Sequence, residues 1–161
     1  MRKLVNVNDI YTDCFGETVI PMLEVPFIGF AQEQIDYNIP PEQTSYFKWL
    51  ETKLHESGEV WGRIRTKEDI VTRVNKFENL IKNIKTYGYR PELDAPLFIR
   101  GNKIYGSLTA YEKGDKVYLV DGHHRISIMV ALGEINIPLT ITEEPIIIKQ
   151  NEDITISSTA E

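Results

Sequence analysis

The stretch Val117-Tyr-Leu-Val-Asp-Gly-His-His-Arg-Ile-Ser-Ile-Met-Val-Ala-Leu-Gly133 constrains the fold more than any other part of this chain. Residues of strand character end in Asp121-Gly122, and the apolar spacing then changes at once to that of a helix. The backbone must therefore turn from sheet into helix with no loop between. A helix begun so abruptly aims several backbone N–H groups at whatever lies before it, and such groups attract an anion. Ile126, Ile128, Met129 and Val130 make the next turn almost wholly apolar, so the helix is buried and its polar start opens on a cleft. Two of the three histidines stand there, beside Arg125.

Upstream, Ile70, Val74, Phe77, Ile81 and Ile84 recur at 4-3-4-3 spacing, which predicts a long helix. Thr66 is its N-cap, Asp69 three residues on completes a capping box with a shorter acid, and Gly88 supplies the stop. Asp69 and Arg73 flank the buried stripe on one side, where they either reach a cleft or pair with each other at i, i+4. Thr44 or Ser45 caps an earlier helix running to about Glu56, with Tyr46, Phe47, Trp49, Leu50 and Leu54 on its apolar side and Gly58 beyond its end.

From Leu97 the pattern becomes that of strands. Residues 97–100, 103–105, 117–120, 137–142 and 146–148 read as strands, with turns at Gly101-Asn102 and Lys113-Gly-Asp115. Strand 117–120, helix 123–132 and strand 137–142 are expected to form a βαβ unit. Residues 1–40, with Pro21, Pro26, Pro40 and Pro41 between short apolar pieces, read as an irregular arm, and Gln150 to Glu161 as a fraying polar tail. The expected architecture is α+β: an arm and helix over 1–60, a core over 61–148 and a tail over 149–161, in one domain.

Composition narrows the classes. With 42% hydrophobic and 26% charged residues among 161, the chain reads as an ordinary globular protein. No apolar run approaches the roughly 18 residues of a membrane span, and Met1 to Asp9 lacks the apolar core of a secretion signal. A cytoplasmic protein without a membrane partner is expected. The single Cys14 excludes an internal disulfide and cannot alone build a thiolate metal site. The net charge of −6 is uneven: four basic against ten acidic residues over 1–60, thirteen against eight over 61–125, and one against six thereafter. The basic third ends in the Asp-Gly-His-His-Arg turn, which suits a phosphate-bearing ligand better than a nucleic-acid track. The plain alternative is a solvated helix face.

At the turn, Gly122 permits positive φ and close approach of a ligand to the backbone. His123 and His124 can donate to phosphate oxygens, or one can shuttle a proton. Arg125 offers a planar fork matched to phosphate or carboxylate. Asp121 can cap the helix, hold a histidine tautomer or help bind a divalent metal. In the purely structural alternative, Asp121 caps, His124 satisfies a buried carbonyl and Arg125 makes an internal ion pair. Adjacent histidines point apart on a helix, which is poor zinc geometry.

Val120-Asp-Gly-His-His-Arg125, the apolar helix after it, Ala131-Leu-Gly133 and Ile135-Asn-Ile-Pro-Leu139 resemble the signature of the ParB/sulfiredoxin-like superfamily. Phe77 to Tyr89 and Pro96-Leu-Phe-Ile99 resemble that superfamily's helix and first strand, which extends the likeness over residues 62–142 and leaves 1–60 outside it. The resemblance implies a small mixed sheet with packed helices. It also implies a nucleotide (ATP, ADP or CTP) whose phosphates lie on Gly122, His123, His124 and Arg125. Sulfiredoxins carry a reactive cysteine where His123 stands, so sulfinic-acid repair is not expected. Partition proteins need a DNA-binding region after the core, and only about twenty residues follow Thr142. Free-serine kinases of this fold carry Asp-Gly-His in the turn and an acid near the start of the preceding helix, roughly where Glu68 and Asp69 stand.

The leading expectation is a nucleotide-dependent kinase or nucleotide hydrolase. Glu68, or else Asp69, would deprotonate a small hydroxylated acceptor, with Asp121 and His123 as further catalytic candidates. Arg63, Arg65 and Arg73 would be auxiliary phosphate contacts, and a divalent ion such as Mg2+, with Asp121 as a ligand, would help neutralise the phosphates. One alternative is a nucleic-acid-binding or nuclease module, against which the acidic flanks argue. Another is a non-catalytic regulatory or interaction protein using the Pro-rich arm and the Trp49/Trp61 region. A homo-oligomer is compatible with either.

Overall fold

The prolines that suggest an irregular arm each occupy a place where a missing N–H does no harm. In the computed structural model, which describes residues 2–13, 18–88, 98–100, 103–105, 108–144, 147–150 and 153–156, the N-terminal part is regular. It forms strands β1 (Arg2–Asn6), β2 (Ile10–Thr12) and β3 (Ile20–Pro21), then helix α1 (Pro26–Asp36). Pro26 holds the first position of α1, where its fixed φ favours the helix. Pro41 opens a short 3-10 turn leading to the next helix, and Pro21 ends the outermost strand of the sheet. The expected arm is thus corrected to three strands and a helix. Cys14 lies outside the described residues.

Helix α2 (Ser45–Ser57) starts at Thr44, whose hydroxyl accepts the Phe47 N–H at 3.1 Å, and ends at Gly58 in the left-handed region at φ 77°. Helix α3 (Lys67–Tyr87) starts at the expected capping box and buries the expected stripe from Ile70 to Ile84. Glu33 of α1 accepts both the backbone N–H and the hydroxyl of Ser45, so a carboxylate of one helix sits on the positive end of the next. That link fixes how α1 and α2 present Phe27 and Tyr46.

Strands β4 (Phe98–Arg100) and β5 (Lys103–Tyr105) pair antiparallel, as do β6 (Thr109–Lys113) and β7 (Lys116–Asp121), the latter across a turn with Gly114 at φ 67°. Helix α4 (His123–Ala131) follows, then β8 (Asn136–Thr142). The main sheet runs β1-β8-β6-β7-β2-β3. β8 pairs parallel with β6 and β2 parallel with β7, so β7 and β8 run in opposite directions with β6 between them. The expected βαβ unit is corrected accordingly, because the β6–β7 hairpin already fills the place beside β7 and the chain leaving α4 finds the free edge of β6. The sheet also crosses the boundary expected at residue 60: β1 pairs with β8 from Arg2↔Thr140 to Asn6↔Asn136.

One sheet face buries Val5, Ile10, Thr12, Ala110, Val117, Leu119, Ile137 and Leu139. Against the inner core lie the helices, α1 packed along α4, α3 also on α4, and α2 on α3. The tail is likewise more regular than expected: β9 (Ile147–Gln150) pairs antiparallel with β10 (Asp153–Ile156), two short runs rich in isoleucine. The turn expected at Gly101-Asn102 and residues 157–161 fall outside the described residues. Among those described, no helix is long and apolar enough to cross a membrane.

Candidate functional site

Asp121 is the last residue of β7 and Gly122 the N-cap of α4. Gly122 holds φ 106° and ψ 21°, a conformation side-chain-bearing residues rarely adopt, and a Cβ there would collide with the fully buried side chain of Leu108. Only glycine makes the junction this tight. Its carbonyl accepts the Ile126 N–H at 2.9 Å as the first helical bond, and it brings no side-chain cap. The amides of His123, His124 and Arg125 therefore form the positive end of the helix.

The two histidines point apart, as helical geometry requires. His123 Nε2 is 2.7 Å from Thr12 Oγ1 on β2, and His124 Nε2 is 2.7 Å from the Tyr46 hydroxyl on α2. His124 stacks on Phe27 of α1 (centroids 4.2 Å apart, planes at 18°) and meets Phe77 at 72° and Trp61 at 88°. Burial pushes His123 down to about 4 and His124 to about 3, the latter helped by the charges of Arg73, His123 and Arg125. Burial also pushes the Tyr46 hydroxyl well above its usual range. At neutral pH a neutral phenol thus meets a neutral imidazole. The expected use of these rings on phosphate, and of His123 as a proton shuttle, is restricted to what Nδ1 and the backbone can do, because each Nε2 already serves the fold.

What converges on the turn is cationic side chains. Arg125 Nη2 lies 3.6 Å from Asp121 Oδ2, and both side chains are largely buried. Arg63 also acts on Asp121, while Arg73 on α3 acts on His124 and Tyr46. Burial raises the Asp121 carboxyl above its ordinary value, and Arg125, the Gly122 N–H and Arg63 pull it back.

The acids expected from α3 are placed differently. Asp69 Oδ2 accepts the N–H of Arg65 at 2.9 Å and of Thr66 at 3.1 Å, which holds its carboxyl below the usual range. Arg73 lies not against Asp69 but over the Trp61 ring, 5.7 Å from its centroid. The expected Asp69–Arg73 pair and Asp69 as a base are both corrected: a carboxylate turned toward its own cap faces neither. Glu68 is exposed in the same helical turn, and Arg65 pairs loosely with Glu59 at 3.6 Å. Among the described residues no three His, Cys, Asp or Glu side chains gather as a metal centre requires.

Comparison with known protein families, curated proteins and solved structures finds no match to this chain. The likeness to the ParB/sulfiredoxin-like superfamily therefore stands on the residues of the chain alone.

The site includes residues that the sequence does not single out. Thr12 and Phe27 come from the supposed arm, and neither carries a local signal. Tyr46 reads as one more apolar residue of α2, although a hydroxyl at a fully buried position signals a polar partner inside the core.

Proposed function

We propose that the protein binds a nucleotide, ATP, ADP or CTP, through its phosphates at the start of α4, and hydrolyses it or transfers phosphate to a small hydroxylated acceptor. One observation carries this reading: Arg63 and Arg125 act electrostatically on Asp121, and Arg73 and Arg125 on His124, so cations from three separate segments bear on one helix N-terminus in a chain of net charge −6. Guanidinium groups and first-turn amides together suit the equatorial oxygens of a phosphoryl group. The resemblance of Val120 to Arg125 to the ParB/sulfiredoxin-like signature supports the same ligand.

Of the acids considered, Asp121 stands at the turn itself, with a carboxyl raised by burial, as a general base requires. In the transfer step the acceptor hydroxyl gives its proton to the Asp121 carboxylate as the new O–P bond forms. The bond from that phosphorus to the bridging oxygen breaks, and the nucleotide, one phosphate shorter, leaves with the electron pair. Mg2+ binds through one or two carboxylates plus phosphate oxygens, so Asp121 suits it only together with a bound nucleotide. A second reading, holding nucleotide without transfer, is favoured by the engagement of both histidine rings and of Asp69 in the fold.

Calorimetric titration of ATP, ADP and CTP into the native protein and Arg125→Ala tests the proposal. Loss of one charged contact should weaken binding about 10- to 150-fold. Absence of binding, or binding indifferent to the substitution in a variant that circular dichroism shows folded, sinks it. Turnover abolished by Asp121→Asn and kept by Glu68→Gln assigns the base; no turnover in the native protein leaves the holding reading.

A further inference from the structure

Trp61 is where the described chain accepts backbone strain. It is the one non-glycine residue among those described with positive φ, at 54°, and Gly62 follows at φ 68°. The two are the central residues of a tight turn closed by the Arg63 N–H on the Val60 carbonyl at 3.2 Å, within a Val60–Ile64 pair whose two bonds are 2.9 and 3.0 Å. A turn with positive φ at both central residues prefers Asn-Gly, and a bulky aromatic at the first position is disfavoured. Trp61 remains 42% exposed, so part of the ring is open to solvent.

The strained turn holds the indole beside the start of α4. Its centroid is 6.2 Å from that of His124, the second residue of that helix. Phe27 meets it at 78°, His124 at 88° and Trp49 at 42°, so no described ring lies parallel to it. The Arg73 guanidinium sits over the ring, placing one of the site's cations against it. Strain held at an exposed side chain next to an anion-suited helix end is the pattern of a ligand contact.

We propose that Trp61, backed by Arg73, is the stacking platform for the base of a nucleoside phosphate whose phosphates occupy the α4 turn. The inference rests on the phosphate reading above and adds to it the recognition of the nucleoside end. A base stacked on an indole accounts for an aromatic at a backbone position that favours a smaller residue.

The probes are ATP, CTP and inorganic tripolyphosphate, which carries phosphates and no base. Trp61→Asn gives the turn the residue it prefers but also removes the ring's contacts with Phe27, Trp49 and His124, so circular dichroism first shows that the variant folds. The substitution should weaken ATP and CTP about 5- to 150-fold while tripolyphosphate binds as before, and Trp61→Phe should recover part of the loss. Only two tryptophans are present, so in Trp49→Phe the emission reports Trp61 alone. ATP should quench it and tripolyphosphate should not. Equal losses for all three probes, no loss for any, or no quenching by bound ATP overturns the platform and leaves the phosphate site standing. Failure of the native protein to bind any of the three overturns both.

Discussion

Gly122 shows how little latitude a single residue has at the site. Adding a methyl group there asks for a φ that alanine rarely adopts and drives a Cβ into the buried Leu108. Gly122→Ala is expected to cost about 2 kcal/mol or more in urea denaturation, since each of strain and overpacking contributes on the order of 1–3 kcal/mol. A loss within about 0.5 kcal/mol, the scatter of surface changes, would mean that the turn is not as tight as described. Tyr46→Phe probes the other side of the same helix. It removes the hydroxyl at 2.7 Å from His124 Nε2 and leaves a buried imidazole nitrogen to be satisfied elsewhere, at an expected cost of about 1–3 kcal/mol. An unchanged denaturation midpoint would show that the hydroxyl contributes nothing.

At the scale of elements, the first turn of α3 separates two acids that look alike in sequence. Asp69 closes the capping box by accepting two backbone N–H groups, whereas Glu68 is exposed. Asp69→Ala is therefore expected to lower the denaturation midpoint and Glu68→Ala to leave it nearly unchanged, in the same denaturation assay. Equal effects would remove the cap from the account. The N-caps, glycine stops and apolar stripes of α2 and α3 are legible in sequence because each depends on residues within one or two turns. The strands β1 and β2 are not. β2 is three residues long, too short for alternation to show, and its partner β7 lies more than a hundred residues away, with Tyr11 opposite Tyr118.

For the whole molecule, burial of two neutral histidines couples stability to pH. An unfolded chain takes up protons on His123 and His124 near the ordinary value of 6.5, while the folded protein resists until about 4 and about 3. Their contribution is therefore undiminished above about pH 6.5. It declines as pH falls toward those folded values, by up to about 1.4 kcal/mol per pH unit for each ring. Denaturation at pH 7, 6 and 5 checks this, because carboxylates with ordinary values near 4 contribute little in that window. A flat profile would show that the rings are solvated. Removal of residues 1–12 should in turn abolish cooperative unfolding, because Val5, Val7, Ile10 and Thr12 are all buried and β1 and β2 occupy places on both sides of the β8-β6-β7 centre.

By itself the sequence determined what neighbouring residues can settle: the α+β class, the extents of α2, α3 and α4, and a strand-to-helix junction that only Gly122 permits. It also placed Arg125 and two histidines at that junction. The tertiary structure alone decided which atoms remain available there. It turned His123 toward Thr12 and His124 toward Tyr46, and set Arg73 over the strained Trp61 beside the α4 start. The reason is physical: caps and periodicity are local and show in spacing, whereas the partner of a buried polar atom is chosen by packing between segments far apart in the chain.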